Sequence, residues 1–120
     1  MSETNRPPRP GPVQYAVFTW VPEAILEEWN EWHNRVHIPH VLAAPQMKVA
    51  RKFRVREVGL PGGWSPQFVT IYDVESLEAF DSYRKGPGIA LREEYDAKYG
   101  EVGKVARAVW VGEITFGEPD

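Results

Sequence analysis

The sequence contains no cysteine. Disulfide frameworks, thiolate nucleophiles and Cys-ligated zinc are thereby excluded. It lacks any apolar run near the ~20 residues a membrane helix needs, and its opening residues are polar and Pro-rich where a secretory signal is charged and then apolar. The expectation is a cytoplasmic protein with no membrane partner. Positive charge is also scarce: 14 Lys and Arg against 17 Asp and Glu leave a net charge of -3. Proteins that neutralise phosphates carry a basic surplus, so no nucleic-acid partner is expected. Gly59, Gly62 and Gly63 form no GxGxxG, and neither GxxxxGKS/T nor GxSxG occurs, which removes the usual signatures of nucleotide folds and α/β-hydrolases. What remains is proton-transfer chemistry or simple binding of a small molecule.

Aromatic residues and a histidine cluster are what the chain does have. Five Trp, five Tyr and five Phe in 120 residues are more than a minimal core needs. They suit the walls of a pocket for a flat or ring-shaped ligand, and equally the core and a dimer interface. All three histidines, His33, His37 and His40, fall in the single stretch from Trp32 to His40. Histidine titrates near neutral pH, so this clustering points to acid-base or metal chemistry.

The residue pattern predicts one domain. Residues 1 to 12 hold Pro7, Pro8, Pro10 and Pro12 and no apolar pattern, and read as a disordered or polyproline-like tail ahead of a domain over 13–120. Val13 to Trp20 reads as a central strand. Pro22 opens a helix whose apolar stripe is Ile25, Trp29, Trp32 and Val36. Pro39 should end or kink it near His37 and open a short turn through Ala43. Met47 to Val58 reads as a strand with Met47, Val49, Arg51, Phe53 and Val55 on one face and Lys52, Arg54 and Arg56 on the other. Gly59 to Pro66 is a loop and Gln67 to Val74 a third strand. Ser76 caps a helix ending at Gly86, Pro87 starts another through Tyr99, and Lys104 to Phe116 is the last strand. Strand, helix, strand, strand, helix, strand fits an α+β, ferredoxin-like βαββαβ fold: an antiparallel four-stranded sheet with helices on one face. The bare face needs a cover, and a second copy is the simplest one, so a homodimer is expected.

Within this frame His33 and His37, four apart, share one helix face. His37 in a last helical turn would meet unpaired carbonyls that favour the imidazolium and raise its pKa. His33 reads as partly exposed, and His40, beyond the proline, as exposed. A metal on the i, i+4 pair lacks an identifiable third ligand, so none is assigned. Arg51 can grip a carboxylate or enolate, or pair with a glutamate. Tyr72, on a face with Phe68 and Thr70, can serve as acid or oxyanion donor. Lys52, Arg54 and Arg56 read as one solvated strand face.

Trp29-x-x-Trp32-x-x-x-x-His37-Ile38-Pro39, followed by Val41 to Pro45, Ala50-Arg51-Lys52-Phe53 and Phe68 to Val74, resembles the EthD-like families of the dimeric α/β-barrel superfamily. The likeness runs over roughly residues 13 to 116. It implies two sheets packed into a barrel with a cleft between each sheet and its helices. The superfamily includes cofactor-free isomerases and cyclases, oxygenases, haem enzymes and proteins without known activity, so fold alone does not choose a reaction. His37 is the position that matches the family's helix-end histidine. The expectation is a cofactor-independent lyase, isomerase or cyclase acting on a ring-shaped or aromatic-derived molecule. His37, with His33 nearby, moves the proton, Arg51 and Tyr72 stabilise negative charge, and Tyr15, Trp20, His40, Phe53 and Trp110 contact the substrate. A hydrophobic-ligand-binding module and a cofactor-free oxygenase are the other readings.

Overall fold

The computed structural model describes residues 7–9 and 11–117. Strand β1 is Val13–Trp20. A helical arm follows: a 3-10 turn Glu23–Ile25, helix α1 Leu26–Trp32, a π-helical turn His33–His37 and helix α2 Ile38–Leu42. Then come β2 Met47–Arg54, β3 Phe68–Val74, α3 Leu77–Lys85, α4 Pro87–Tyr99 and β4 Lys104–Val111. The sheet order is β2-β3-β1-β4 with every neighbouring pair antiparallel. This is the ferredoxin-like arrangement the pattern predicts. Among the described residues no helix is long and apolar enough to cross a membrane.

Cross-strand partners share a face, so the register sorts the sheet into two surfaces. Tyr15 pairs with Tyr72 and Val109, and Val17 with Thr70 and Arg107. This surface is covered by the helices, because Tyr15 and Tyr72 belong to one buried cluster with Phe80 and Tyr83 of α3. A second cluster joins Val21, Trp29, Phe68, Tyr95 and Tyr99. The opposite surface carries Gln14, Phe18, Trp20, Val49, Arg51, Phe53, Asp73 and Trp110, and no helix among the described residues covers it. Phe53 is 47% and Trp110 40% exposed.

The structure corrects the sequence reading in three places and explains a fourth. In β2 the register shifts between Met47 and Val49. That bulge puts Met47 with Ala50, Lys52 and Arg54 on the helix side, where Lys52 Nζ donates to Asn30 and Asn34 Oδ1, both at 2.6 Å. Arg51 and Phe53 therefore face away from the helices. The helical arm changes character at His37 and runs on as the short α2 with Ala43 as its cap, as Pro39 leads one to expect. Ile38 N–H donates to the His33 carbonyl, five residues back, and the widened turn lets the chain run through Pro39, whose ring would clash with the carbonyl four residues earlier in a regular α-helix. The same turn swings Val36 out of the apolar stripe and leaves it exposed. Finally, β4 stops at Val111, and Thr115 forms an isolated bridge with Arg9. Gly11 and Gly112 approach so closely there that a Cβ on Gly11 would lie 2.7 Å from the Gly112 Cα. Arg9 and Gly11 of the expected tail are thus hydrogen-bonded to the carboxy-terminal segment, while residues 1–6 and 10 lie outside the described residues.

Candidate acid-base site

The helical arm delivers its histidines into the layer between sheet and helices. His33 is 2% exposed. Its ring stacks on Trp29, centroids 4.3 Å apart at 16°, and lies 5.8 Å from the ring of His37. His37 in turn stacks on Trp32 at 5.1 Å and 19°. Trp29 is fixed by its own indole N–H, which donates to the Tyr95 hydroxyl at 3.0 Å. The sequence spacing that suggested two histidines on one face thus holds, but the rings lie in a stack with tryptophans and do not converge on a point. Among the described residues no group of three or more His, Asp or Glu is arranged to hold a metal.

Glu94 of α4 organises the outer half of the stack. His37 Nδ1 is 3.0 Å from Oε1 and His40 Nδ1 2.9 Å from Oε2. Burial tends to raise the Glu94 carboxyl, but hydrogen bonds from His37 and His40 outweigh it and hold the group below the usual carboxylate range. An ionised carboxylate only accepts, so Nδ1 of each ring carries the hydrogen. Nε2 of neutral His37 is left with a lone pair. Burial pushes the His37 imidazole down, and Glu94 opposes that shift without cancelling it. The expected raised pKa is overturned by this burial. His33, expected to be partly exposed, is pushed down to about 2 by burial and by the charges of Lys52 and His37. Its Nδ1 has no partner among the described residues.

His33 and His37 line a cavity of about 30 Å³ with Tyr15, Tyr72, Tyr83, Tyr95, Arg92 and Arg107. It lies between the two core clusters, taking three tyrosines from one and Tyr95 from the other. A space of this size holds one water-sized group. Tyr15, Arg92 and Arg107 also border an outer cavity of about 390 Å³, reached past Phe80 and Val109. Burial raises all four tyrosines, Tyr95 to about 12. They are hydrogen-bond donors at neutral pH, not bases.

Residues 13–109 match the profile of DUF4286, a domain of unknown function. The chain belongs to that family. No curated protein matches the DUF4286 chain by sequence. Among solved structures it is similar to an EthD family protein of Bacillus halodurans C-125, with TM-score 0.62 and 18% identity over 82% of this chain and 97% of that one. It is also similar to a dimeric ferredoxin-like protein of unknown function from Thermobifida fusca YX, with TM-score 0.53 and 13% identity over 82% and 90% of the two chains. A third is the heme-degrader MhuD of Mycobacterium tuberculosis, with TM-score 0.52 and 22% identity over 88% and 97%. At these identities the likeness establishes the fold alone, a ferredoxin-like one. The inner cavity of the DUF4286 chain, at about 30 Å³, does not fit a haem macrocycle.

Of the residues singled out from the DUF4286 sequence, the structure brings together His33, His37, Tyr15 and Tyr72 in the cavity wall. His40 sits on the solvent side of Glu94. Arg51, Trp20, Phe53 and Trp110 do not join them and lie on the uncovered surface of the sheet. There Arg51 Nη1 donates to Asp73 Oδ2 at 3.2 Å. A row of hydrogen bonds continues from Asp73 to Gln14 and from Gln14 to Trp110 Nε1, crossing all four strands. Sequence reasoning missed Glu94, Tyr83, Tyr95, Arg92 and Arg107. For Arg107 a signal exists, since it interrupts the alternating run Val105, Val109 and Val111. For Glu94 there is none, because nothing local separates it from Glu93.

Proposed function

We propose that this DUF4286 domain is a small cytoplasmic, cofactor-independent enzyme, a lyase, isomerase or cyclase that moves a proton on a ring-shaped small molecule. The observation that carries the reading is a buried, neutral His37 whose Nδ1 is tied to a carboxylate, so that Nε2 is the ring atom available at an aromatic-lined cavity. Such a ring takes a proton from a carbon acid beside a carbonyl. As it becomes imidazolium, Glu94 stabilises the new charge through the Nδ1 hydrogen bond. Tyr72, Tyr83 or Tyr95 supplies an O–H to the oxyanion that forms. Exposure rises along the series His37, Glu94 and His40, at 12%, 32% and 54% of the side chain, which supports proton exchange with solvent through that series.

A second copy is proposed to cover the uncovered sheet surface. Its exposed Val49, Phe53 and Trp110 support this, as does the description of the Thermobifida protein as dimeric. The small inner cavity favours a second reading, a binding module that holds a ligand in the outer cavity without transforming it.

Deuterium exchange tests the first reading whatever product the reaction forms. The protein is incubated in D₂O with a panel of ring ketones, lactones and ring acids, and loss of the C–H signal next to the carbonyl is followed by NMR. The expected result is exchange on at least one compound, cut ~10²–10⁴-fold in a folded His37→Ala variant. Exchange that survives in that variant removes His37 from the reaction, and no exchange on any compound favours the binding module.

A further inference from the structure

Arg92 of α4 and Arg107 of β4 come from different layers of the fold and border both cavities. Neither takes part in an ion pair among the described residues. Among those residues no aspartate or glutamate lines either cavity, although the chain as a whole carries a net charge of -3. Two carboxylates of α3 and α4 have partners of their own. Asp81 is paired with Arg84 at 2.8 Å, and Glu94 has one histidine on each oxygen.

Arg92 packs beside Gly88, where a Cβ would come within 2.8 Å of the Tyr83 carbonyl oxygen, 2.9 Å of Tyr83 Cε2 and 3.2 Å of Arg92 Nη1. Arg92 Nη2 donates to the Arg84 carbonyl at 3.3 Å. A guanidinium has five N–H donors in a planar fork, and one such bond leaves the others for a ligand. Beside the two arginines, Tyr15 and Phe80 present rings 5.0 Å apart in the outer cavity. At about 390 Å³ that space is within the range that takes a small organic molecule.

We infer that the ligand of this site is a ring-bearing carboxylic acid, its carboxylate held between Arg92 and Arg107 where the two cavities meet and its ring lying against Tyr15 and Phe80. The inference deepens the proton-transfer reading by naming the ligand class of the same site, and rests on that reading for any proton-transfer step at His37, which lines the inner cavity beyond the junction. The binding itself does not depend on that step. Arg51, the residue that sequence reasoning assigned to the carboxylate, is on the wrong surface of the sheet for the task, and Arg92 and Arg107 take its place.

The test uses the intact protein at pH 8, with His37 neutral, titrated by NMR with phenylacetate, its neutral counterpart phenylacetamide and phenyl phosphate. A charge-assisted hydrogen bond contributes enough that phenylacetate should bind about tenfold tighter than the amide or better. That advantage should vanish in Arg107→Gln, whose parent side chain is exposed and outside the core, and in Arg92→Gln, with amide binding unchanged. His37→Gln should keep the preference for the acid while losing deuterium exchange, so the two proposals fail separately. Equal binding of acid and amide, an acid preference that survives both arginine substitutions, or no binding of any probe overturns the inference. Phenyl phosphate binding well above phenylacetate with the same arginine dependence overturns the carboxylate assignment.

Discussion

The two surfaces of the one sheet draw on similar residue types and put them to opposite use. On the helix side, Tyr15, Thr70 and Tyr72 are buried, and Arg107 and His37 line one small cavity. On the other side, aromatics and charges sit in solvent, and Arg51 and Asp73 are joined across 3.2 Å at side-chain exposures of 53% and 28%. Solvent and salt screen that pair. Burial, which shifts His37 and His33, acts only on the covered side. Chemistry in this fold therefore depends less on which residues a strand carries than on which of its two surfaces they reach.

The contrast can be broken from the open side. Phe53→Asp together with Trp110→Asp should abolish pairing of two copies, raising the dimer dissociation constant by at least about 100-fold, as loss of central aromatic contacts does. The same protein should keep its phenylacetate titration. Sedimentation of the unsubstituted chain as a monomer at micromolar concentration would sink the two-copy arrangement outright.

The covered side can be sharpened through His33. Its folded-state pKa is about 2, whereas an unfolded chain titrates near the ordinary value of about 6.5. The unfolded state therefore binds the proton first as pH falls. Stability from the neutral ring is complete above about pH 6.5 and lost toward pH 2, at about 1.4 kcal/mol per pH unit. Urea unfolding at pH 7 and pH 5 should show a drop about 2 kcal/mol larger in the unsubstituted protein than in His33→Phe. Parallel curves for the two proteins would show that His33 is protonated in the fold. The smallest effect belongs to the open surface. In the doubly substituted single-copy background, Arg51→Ala should cost no more than about 1 kcal/mol in the same assay. A loss of several kcal/mol would make the polar row a structural element in its own right.

Much of the fold was legible because its signals are local. Ser76 does cap α3, its hydroxyl oxygen accepting from the Ala79 N–H at 3.0 Å. Pro87 does open α4, and β1 spans Val13–Trp20 as its composition predicts. Two of the misreadings come from an extra residue that changes phase. The bulge at Met47 and Val49 exchanged the two surfaces of β2 and with them the roles suggested for Arg51 and Lys52. The π turn moved Val36 out of the apolar stripe, whereas the burial that lowers the His37 pKa left no local trace in the sequence. Part of the candidate site was legible, the histidines of the helical arm because such a cluster stands out in any sequence, and Tyr15 and Tyr72 because they lie on strands whose composition is plain. Glu94 was not, because its partners His37 and His40 lie more than fifty residues away and meet it only through the docking of two helices.

The π turn also makes the site sensitive to chain length. The π turn fits its five residues into about the rotation that four take in an α-helix, so losing one residue between His33 and His37 would restore regular α-helical bonding, press the Pro39 ring on the carbonyl four residues earlier and change how the rings of His33 and His37 sit relative to one another. Almost any exchange of side chains on the outer face of this arm is a smaller perturbation than a single-residue deletion, and sequences that share this site should keep the distance from Trp29 to His40 at its present count.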